Sequence, residues 1–79
     1  MIKISIFHLK SFLQEVNECS GAVYVLGPDG KKENLNQNYY AQEVLRQQFR
    51  ENKSYLRLSL DIPCPADYMK IVCYSLGNF

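Results

Sequence analysis

Residues 55–62 read YLRLSLDI, the clearest strand pattern in this chain of 79 residues. Apolar and polar side chains alternate along it, as in a strand that buries one face and exposes the other. We predict that the leucines and Ile62 face a core, and that Tyr55, Arg57 and the remaining polar residues face away. Pro63 then breaks the strand, and Pro65 suits the first turn of a helix.

The N-terminal segment changes from a strand pattern to a helix pattern. Isoleucines alternate with polar residues over residues 2–6, which predicts a half-buried strand. Apolar residues recur at helical spacing over residues 9–19, which predicts an amphipathic helix. His8, the only histidine of the chain, therefore lies at the start of this helix.

The middle of the chain predicts a hairpin followed by a second helix. Residues 22–26 are rich in β-branched and aromatic residues, and residues 27–30 (GPDG) form a turn motif. A polar strand follows at about residues 31–35, and its lysines favour a sheet edge. Asn36 or Asn38 is expected to cap the next helix. The predicted inner face of that helix consists of Tyr40, Ala41, Val44, Leu45, Gln48 and Phe49.

A third helix follows the two prolines, and its predicted apolar stripe consists of Tyr68, Met69, Val72, Cys73 and Leu76. The element order is therefore β-α-β-β-α-β-α in one domain spanning residues 1–79. Every predicted strand has a single apolar face, as in an antiparallel sheet covered on one side. We predict an α+β open-faced sandwich: a four-stranded, mainly antiparallel sheet with three helices on one face.

Charge and cysteine content exclude several classes of protein. Nine basic and eight acidic residues nearly cancel, which argues against nucleic-acid binding. Cys19, Cys64 and Cys73 are an odd number without C-x-x-C spacing, so we expect neither a disulfide framework nor a metal site. Cys19 and Cys73 are predicted to be core thiols, and Cys64 to be more exposed. No membrane span or signal peptide is recognisable, and we expect a cytoplasmic protein without a cofactor.

Two interpretations of His8 remain open at this point. A helix start offers free N–H groups and partial positive charge, so His8 there can accept a phosphoryl group on unprotonated imidazole. Alternatively, His8 is an ordinary, partly exposed residue at a strand–helix junction. Likewise Arg46, Gln47 and Arg50 are either a solvated helix face or, with Phe49, a surface that binds a protein partner.

Length, element order and the segment Phe7-His8-Leu9-Lys10-Ser11 together resemble HPr, the histidine phosphocarrier of the bacterial sugar phosphotransferase system. In that family the phosphorylated histidine opens the first helix and is followed by an arginine and a proline. Here Lys10 occupies the position of the arginine, and Ser11 that of the proline. The resemblance implies that His8 is the phosphoryl acceptor and that Lys10 and Ser11 bind the phosphate.

The expected function is thus that of a diverged phosphocarrier, or of a regulatory module that kept the fold and acts through protein contacts. No constellation typical of an enzyme is recognisable beyond a phosphohistidine carrier. The alternative is a ferredoxin-like or ACT-like module for small-molecule sensing or oligomerisation. The sequence does not predict the oligomeric state.

Overall fold

A computed structural model describes residues 2–27 and 29–77. It contains four strands and three helices in the predicted order: β1 (Ile2–Ile6), α1 (Leu9–Asn17), β2 (Tyr24–Leu26), β3 (Lys32–Asn34), α2 (Tyr39–Glu51), β4 (Leu56–Asp61) and α3 (Pro65–Gly77). The strands form one sheet in the order β1-β4-β2-β3, and all neighbours are antiparallel. The predicted α+β open-faced sandwich is confirmed.

The clearest strand of the sequence lies inside the sheet. β4 pairs with β1 over its length, from Ile2 opposite Leu60 to Ile6 opposite Leu56. On its other side β4 pairs with only two residues of β2, Tyr24 and Val25. The β2–β3 hairpin therefore diverges from β4, while β1 and β3 form the two edges of the sheet.

The helix layer has α1 in the middle. The Tyr74 hydroxyl of α3 donates to the His8 carbonyl at the start of α1, 3.2 Å away. On the other side, the Gln42 amide of α2 donates to Asn17 Oδ1 at the end of α1, 2.8 Å away. Because α2 lies against the β2–β3 hairpin, α3 lies on the β1 side of the layer. The core between the two layers contains the fully buried side chains of Ile6, Phe12, Val16, Val23, Leu35, Leu60 and Ile71.

The predicted inner face of α2 is partly wrong. Tyr40 and Val44 are exposed, as is Gln48, whereas Gln42 is completely buried. Ala41, Leu45 and the half-buried Phe49 do face the core, as predicted. The helix is rotated because the Gln42 amide binds the Leu35 carbonyl and Asn17. Asn38 caps this helix, accepting a hydrogen bond from the Ala41 N–H.

The predicted apolar stripe of α3 is also partly wrong, since Met69, Cys73 and Leu76 are exposed. The rotation of α3 follows from Asp67, whose carboxylate is buried against the loop after α1. It accepts hydrogen bonds from the backbone N–H groups of Ser20, at 3.1 Å, and Gly21, at 2.8 Å. These bonds hold the Asp67 face inward and turn the Met69 face outward. The predicted core position of Cys73 is therefore wrong, while that of Cys19 is confirmed.

The hairpin turn forms where the sequence predicts it. The Gly30 N–H donates to the Gly27 carbonyl at 3.0 Å. Gly30 has a φ of +82°, a conformation that glycine adopts without steric cost. Pro28, which belongs to the predicted turn motif, lies outside the described residues.

Candidate functional site

His8 is the N-cap residue of α1, and its side chain is exposed. Its carbonyl accepts the first hydrogen bond of the helix, from the Phe12 N–H at 3.1 Å. The His8 side chain makes no capping hydrogen bond to the first turn. The N–H groups of the first turn, which no helix can satisfy internally, therefore keep their capacity to bind an anion.

The backbone around His8 is held from both layers. Phe7, which directly follows β1, has its ring centroid 5.1 Å from that of Tyr55. From α3, the Tyr74 hydroxyl donates a hydrogen bond to the His8 carbonyl. Burial, followed by the charge of Glu15, raises the pKa of Tyr74, so its hydroxyl stays protonated as a donor. His8 therefore combines a fixed backbone with a free imidazole. The Tyr74 contact could not be predicted from local sequence patterns, because 66 residues separate the two groups.

Four of the six predicted phosphate-binding and partner-binding residues, namely Lys10, Arg46, Phe49 and Arg50, line one groove. It has a volume of about 340 Å³ and is lined by Leu9 and Lys10 from α1 and by Arg46, Phe49 and Arg50 from α2. Leu9 and Phe49 form its apolar floor, and the cationic side chains form its rim. We call these five residues the α1–α2 groove. It begins at the residue next to His8.

The charges of the α1–α2 groove are only partly neutralised. Arg46 is paired with Glu43 at 3.0 Å, and both side chains are partly exposed to solvent. Within residues 2–27 and 29–77, Lys10 and Arg50 form no ion pair. An exposed ion pair such as Arg46–Glu43 contributes little free energy, so Arg46 can readily exchange Glu43 for another anionic partner. The rim is therefore able to bind an anionic group without breaking a strong interaction.

Besides His8, which lies next to the groove, Ser11 and Gln47 are the predicted site residues that do not line it. Ser11 is exposed in the first turn of α1, where its N–H is among those left without a side-chain cap. Gln47 is exposed on α2 and is not among the residues that line the groove. The structure thus brings together three of the four residues that the sequence predicted to bind a partner.

Cys19 is not a reactive thiol. Burial raises the pKa of Cys19 to about 11, and its thiol donates to the Glu15 carbonyl at 3.4 Å. Cys19 is therefore a protonated core residue at neutral pH. Across residues 2–27 and 29–77, no group of three or more His, Cys, Asp or Glu side chains is arranged to hold a metal ion.

A larger cavity, which the sequence did not indicate, lies between α2 and the β2–β3 hairpin. Its volume is about 490 Å³. Leu35, Val44, Leu45 and Leu58 form part of its apolar wall, and Lys31 is among its polar lining residues. The cavity exists because the hairpin diverges from β4 after two paired residues.

Comparison of the chain with protein-family models, with characterised proteins and with solved structures finds no significant match. In the part of the chain that the structure describes, no helix is long and apolar enough to cross a membrane.

Proposed function

We propose that this protein is an HPr-like phosphoryl acceptor that uses His8 and binds its partner through the α1–α2 groove. The observation that carries the proposal is the exposed His8 imidazole at the uncapped start of α1, directly beside a groove with a cationic rim. Phosphorylated residues and their donors are anionic, and both a helix start and lysine or arginine side chains stabilise such groups.

The chemistry requires only the imidazole and a phosphohistidine donor. The lone pair of the unprotonated His8 nitrogen forms a new P–N bond while the P–N bond of the donor breaks. The electron pair of the broken bond returns to the donor imidazole. Each ring carries a proton on its other nitrogen, so no net proton transfer is needed. Lys10 and the N–H groups of the first turn hold the phosphoryl oxygens as they arrive.

The groove supports partner binding through charge and an apolar floor. Exposed cations at the rim attract an acidic partner and accelerate its association, whereas the floor formed by Leu9 and Phe49 offers apolar contact. A protein that retained this surface but lost transfer would still bind a partner. The regulatory form of the proposal therefore uses the same groove without phosphorylation of His8.

The test is incubation with phosphoenolpyruvate and the general phosphotransfer enzyme, followed by intact mass measurement. We expect an acid-labile adduct of one phosphoryl group that His8→Ala abolishes. Only the carbonyl of His8 makes the described contacts, so this substitution leaves the fold in place. No adduct on the wild-type protein, or one that persists in His8→Ala, would contradict phosphotransfer.

A charge reversal separates the groove from the acceptor. Arg46→Glu with Arg50→Glu is expected to slow phosphorylation at low salt by about ten-fold or more, because both charges steer the partner. The matched control is Lys53→Glu with Arg57→Glu, which makes the same change in charge at exposed residues outside the groove. Equal slowing by both double variants would argue against the groove.

Small-molecule sensing is the second candidate, and the 490 Å³ cavity favours it. This volume lies in the range of ligand pockets, and the lining combines apolar residues with charged ones such as Lys31, Lys32 and Arg57. A thermal-shift screen with amino acids and nucleotides tests this candidate. A shift that Val44→Arg removes would support it, and no shift with any compound would count against it.

A further inference from the structure

We propose that β1 and the outer face of α3 form a two-fold interface between two copies of this chain. The surface consists of the free edge of β1 together with Met69, Val72 and Leu76. Within residues 2–27 and 29–77, β1 pairs with β4 only, so its outer N–H and C=O groups have no partner strand. This interface is separate from the α1–α2 groove, and the proposal does not rest on phosphotransfer.

The outer face of α3 lacks charge. Asp67 and Lys70 are the only charged residues among the 13 of this helix. Asp67 binds the backbone of residues 20 and 21, and Lys70 pairs with Glu18, so both side chains point towards the α1 side. On the remaining face, Met69 is 55% exposed and Leu76 is 68% exposed. Apolar side chains on an uncharged face are typical of a surface that is covered in the assembled protein.

The sequence of β1 complements itself. An antiparallel pair with its two-fold axis at Ile4 would bring Ile2 opposite Ile6 of the second copy. The same register brings Lys3 opposite Ser5 rather than opposite the other lysine, so like charges do not meet. Lysine on an edge strand usually discourages pairing. In this register no lysine lies opposite another lysine, which favours a second copy of this chain over an edge strand of another protein as the partner of β1.

The area needed for a stable dimer explains why both surfaces take part. Stable interfaces bury roughly 800 Å² on each partner. A pair of five-residue strands contributes only part of this area, but α3 lies on the β1 side of the helix layer. A single two-fold axis through the β1 edges therefore also brings the two α3 helices together. The two His8 residues would lie at opposite ends of the joined strands, roughly 25 Å apart, and would remain accessible.

Charge substitutions at Ser5 test the register. Ser5 is exposed, and its hydroxyl has one weak contact, with the Tyr55 hydroxyl at 3.4 Å. Ser5→Ala therefore serves as the common reference that removes this contact. Relative to it, Ser5→Glu places a carboxylate opposite Lys3 of the other copy and should tighten the dimer about two- to thirty-fold. Ser5→Lys should weaken it by a similar factor.

The measurement is sedimentation equilibrium of the full chain from micromolar to about 1 mM protein. We expect a monomer–dimer equilibrium that Met69→Glu with Leu76→Glu abolishes, with an unchanged far-UV circular dichroism spectrum. Gln14→Glu and Gln14→Lys, at an exposed position of α1, are the charge controls and should leave the equilibrium unchanged. A wild-type monomer at 1 mM would overturn the proposal. A dimer in which Ser5→Glu and Ser5→Lys behave alike would overturn the register.

Discussion

The substitution Gln42→Ala tests the contact that sets the orientation of α2. Gln42 is completely buried, and its amide nitrogen donates two hydrogen bonds, each 2.8 Å long, to Asn17 Oδ1 and the Leu35 carbonyl. These bonds join α2 both to the end of α1 and to the residue that follows β3. The substitution removes both bonds and leaves a small void in the core.

The loss of folding stability in Gln42→Ala depends on whether the former hydrogen-bond partners of Gln42 keep other partners. Asn17 Oδ1 also accepts from the Gln37 N–H, and the Leu35 carbonyl also accepts from the Asn38 N–H, so neither acceptor is orphaned. The loss is therefore that of two ordinary hydrogen bonds, about 1–3 kcal/mol in total, together with a long contact of 3.4 Å from the Asn17 amide to the Gln42 oxygen. The lost packing of one methylene adds about 1 kcal/mol. We expect about 2–4 kcal/mol out of a total of about 4–12 kcal/mol for a domain of this size.

Urea unfolding followed by circular dichroism measures this loss, and the thermal midpoint should fall by at least about 8 °C. Gln48→Ala is the matched control, because it makes the same chemical change at an exposed position of the same helix. It should cost less than about 0.5 kcal/mol. If the two variants were equally stable, the assigned role of Gln42 would be refuted.

The isosteric variant Gln42→Glu adds a pH-dependent test. Its carboxylate would face two acceptors and no described donor except the Asn17 amide, which is 3.4 Å from the present Gln42 oxygen. Burial and these acceptors would raise the pKa of the new carboxyl above its value in the unfolded chain. The destabilisation should therefore be largest at neutral pH and decrease as the pH falls. A pH-independent loss would contradict this explanation.

Three further predictions concern stability and reactivity. Hydrogen bonds from Ser20, opposed by burial, hold the pKa of Asp67 below its ordinary value of 3.8. The stabilisation by Asp67 should therefore be complete above that value and be lost as the pH falls through the lower pKa of the folded state. Acid titration of the Asp67→Asn variant should lack this pH-dependent loss of stability. Lys53 follows the end of α2 with a φ of +58°. Lys53→Gly should therefore raise the free energy of unfolding by about 0.5–1 kcal/mol, whereas Lys53→Ala should not. Urea titration of both variants measures this difference. In the folded protein iodoacetamide should modify the exposed Cys73 well before Cys19, which is buried with a pKa of about 11. Peptide mapping after partial reaction measures this order, and modification of Cys19 before Cys73 would contradict the described core.

The candidate site was partly predictable from local sequence. His8 could be assigned to a helix start because the strand pattern before it and the helix pattern after it are both short-range signals. The basic residues of α2 could be recognised as an exposed face for the same reason. That Lys10 and Arg46 line one groove could not be predicted, because their approach depends on how α1 and α2 pack against each other.

The element types and their order follow from local sequence patterns, because alternation and helical spacing are properties of neighbouring residues. The same patterns predict the single apolar face of each strand, and hence a sheet covered on one side. Tertiary contacts place β4 inside the sheet and β1 at its edge, since strand order depends on contacts between distant residues. The rotation of two helices was decided in the same way: buried hydrogen bonds of Gln42 and Asp67 outweighed the apolar pattern and left Val44 and Met69 exposed. A buried polar group must keep its partners, and those partners lie far away along the chain.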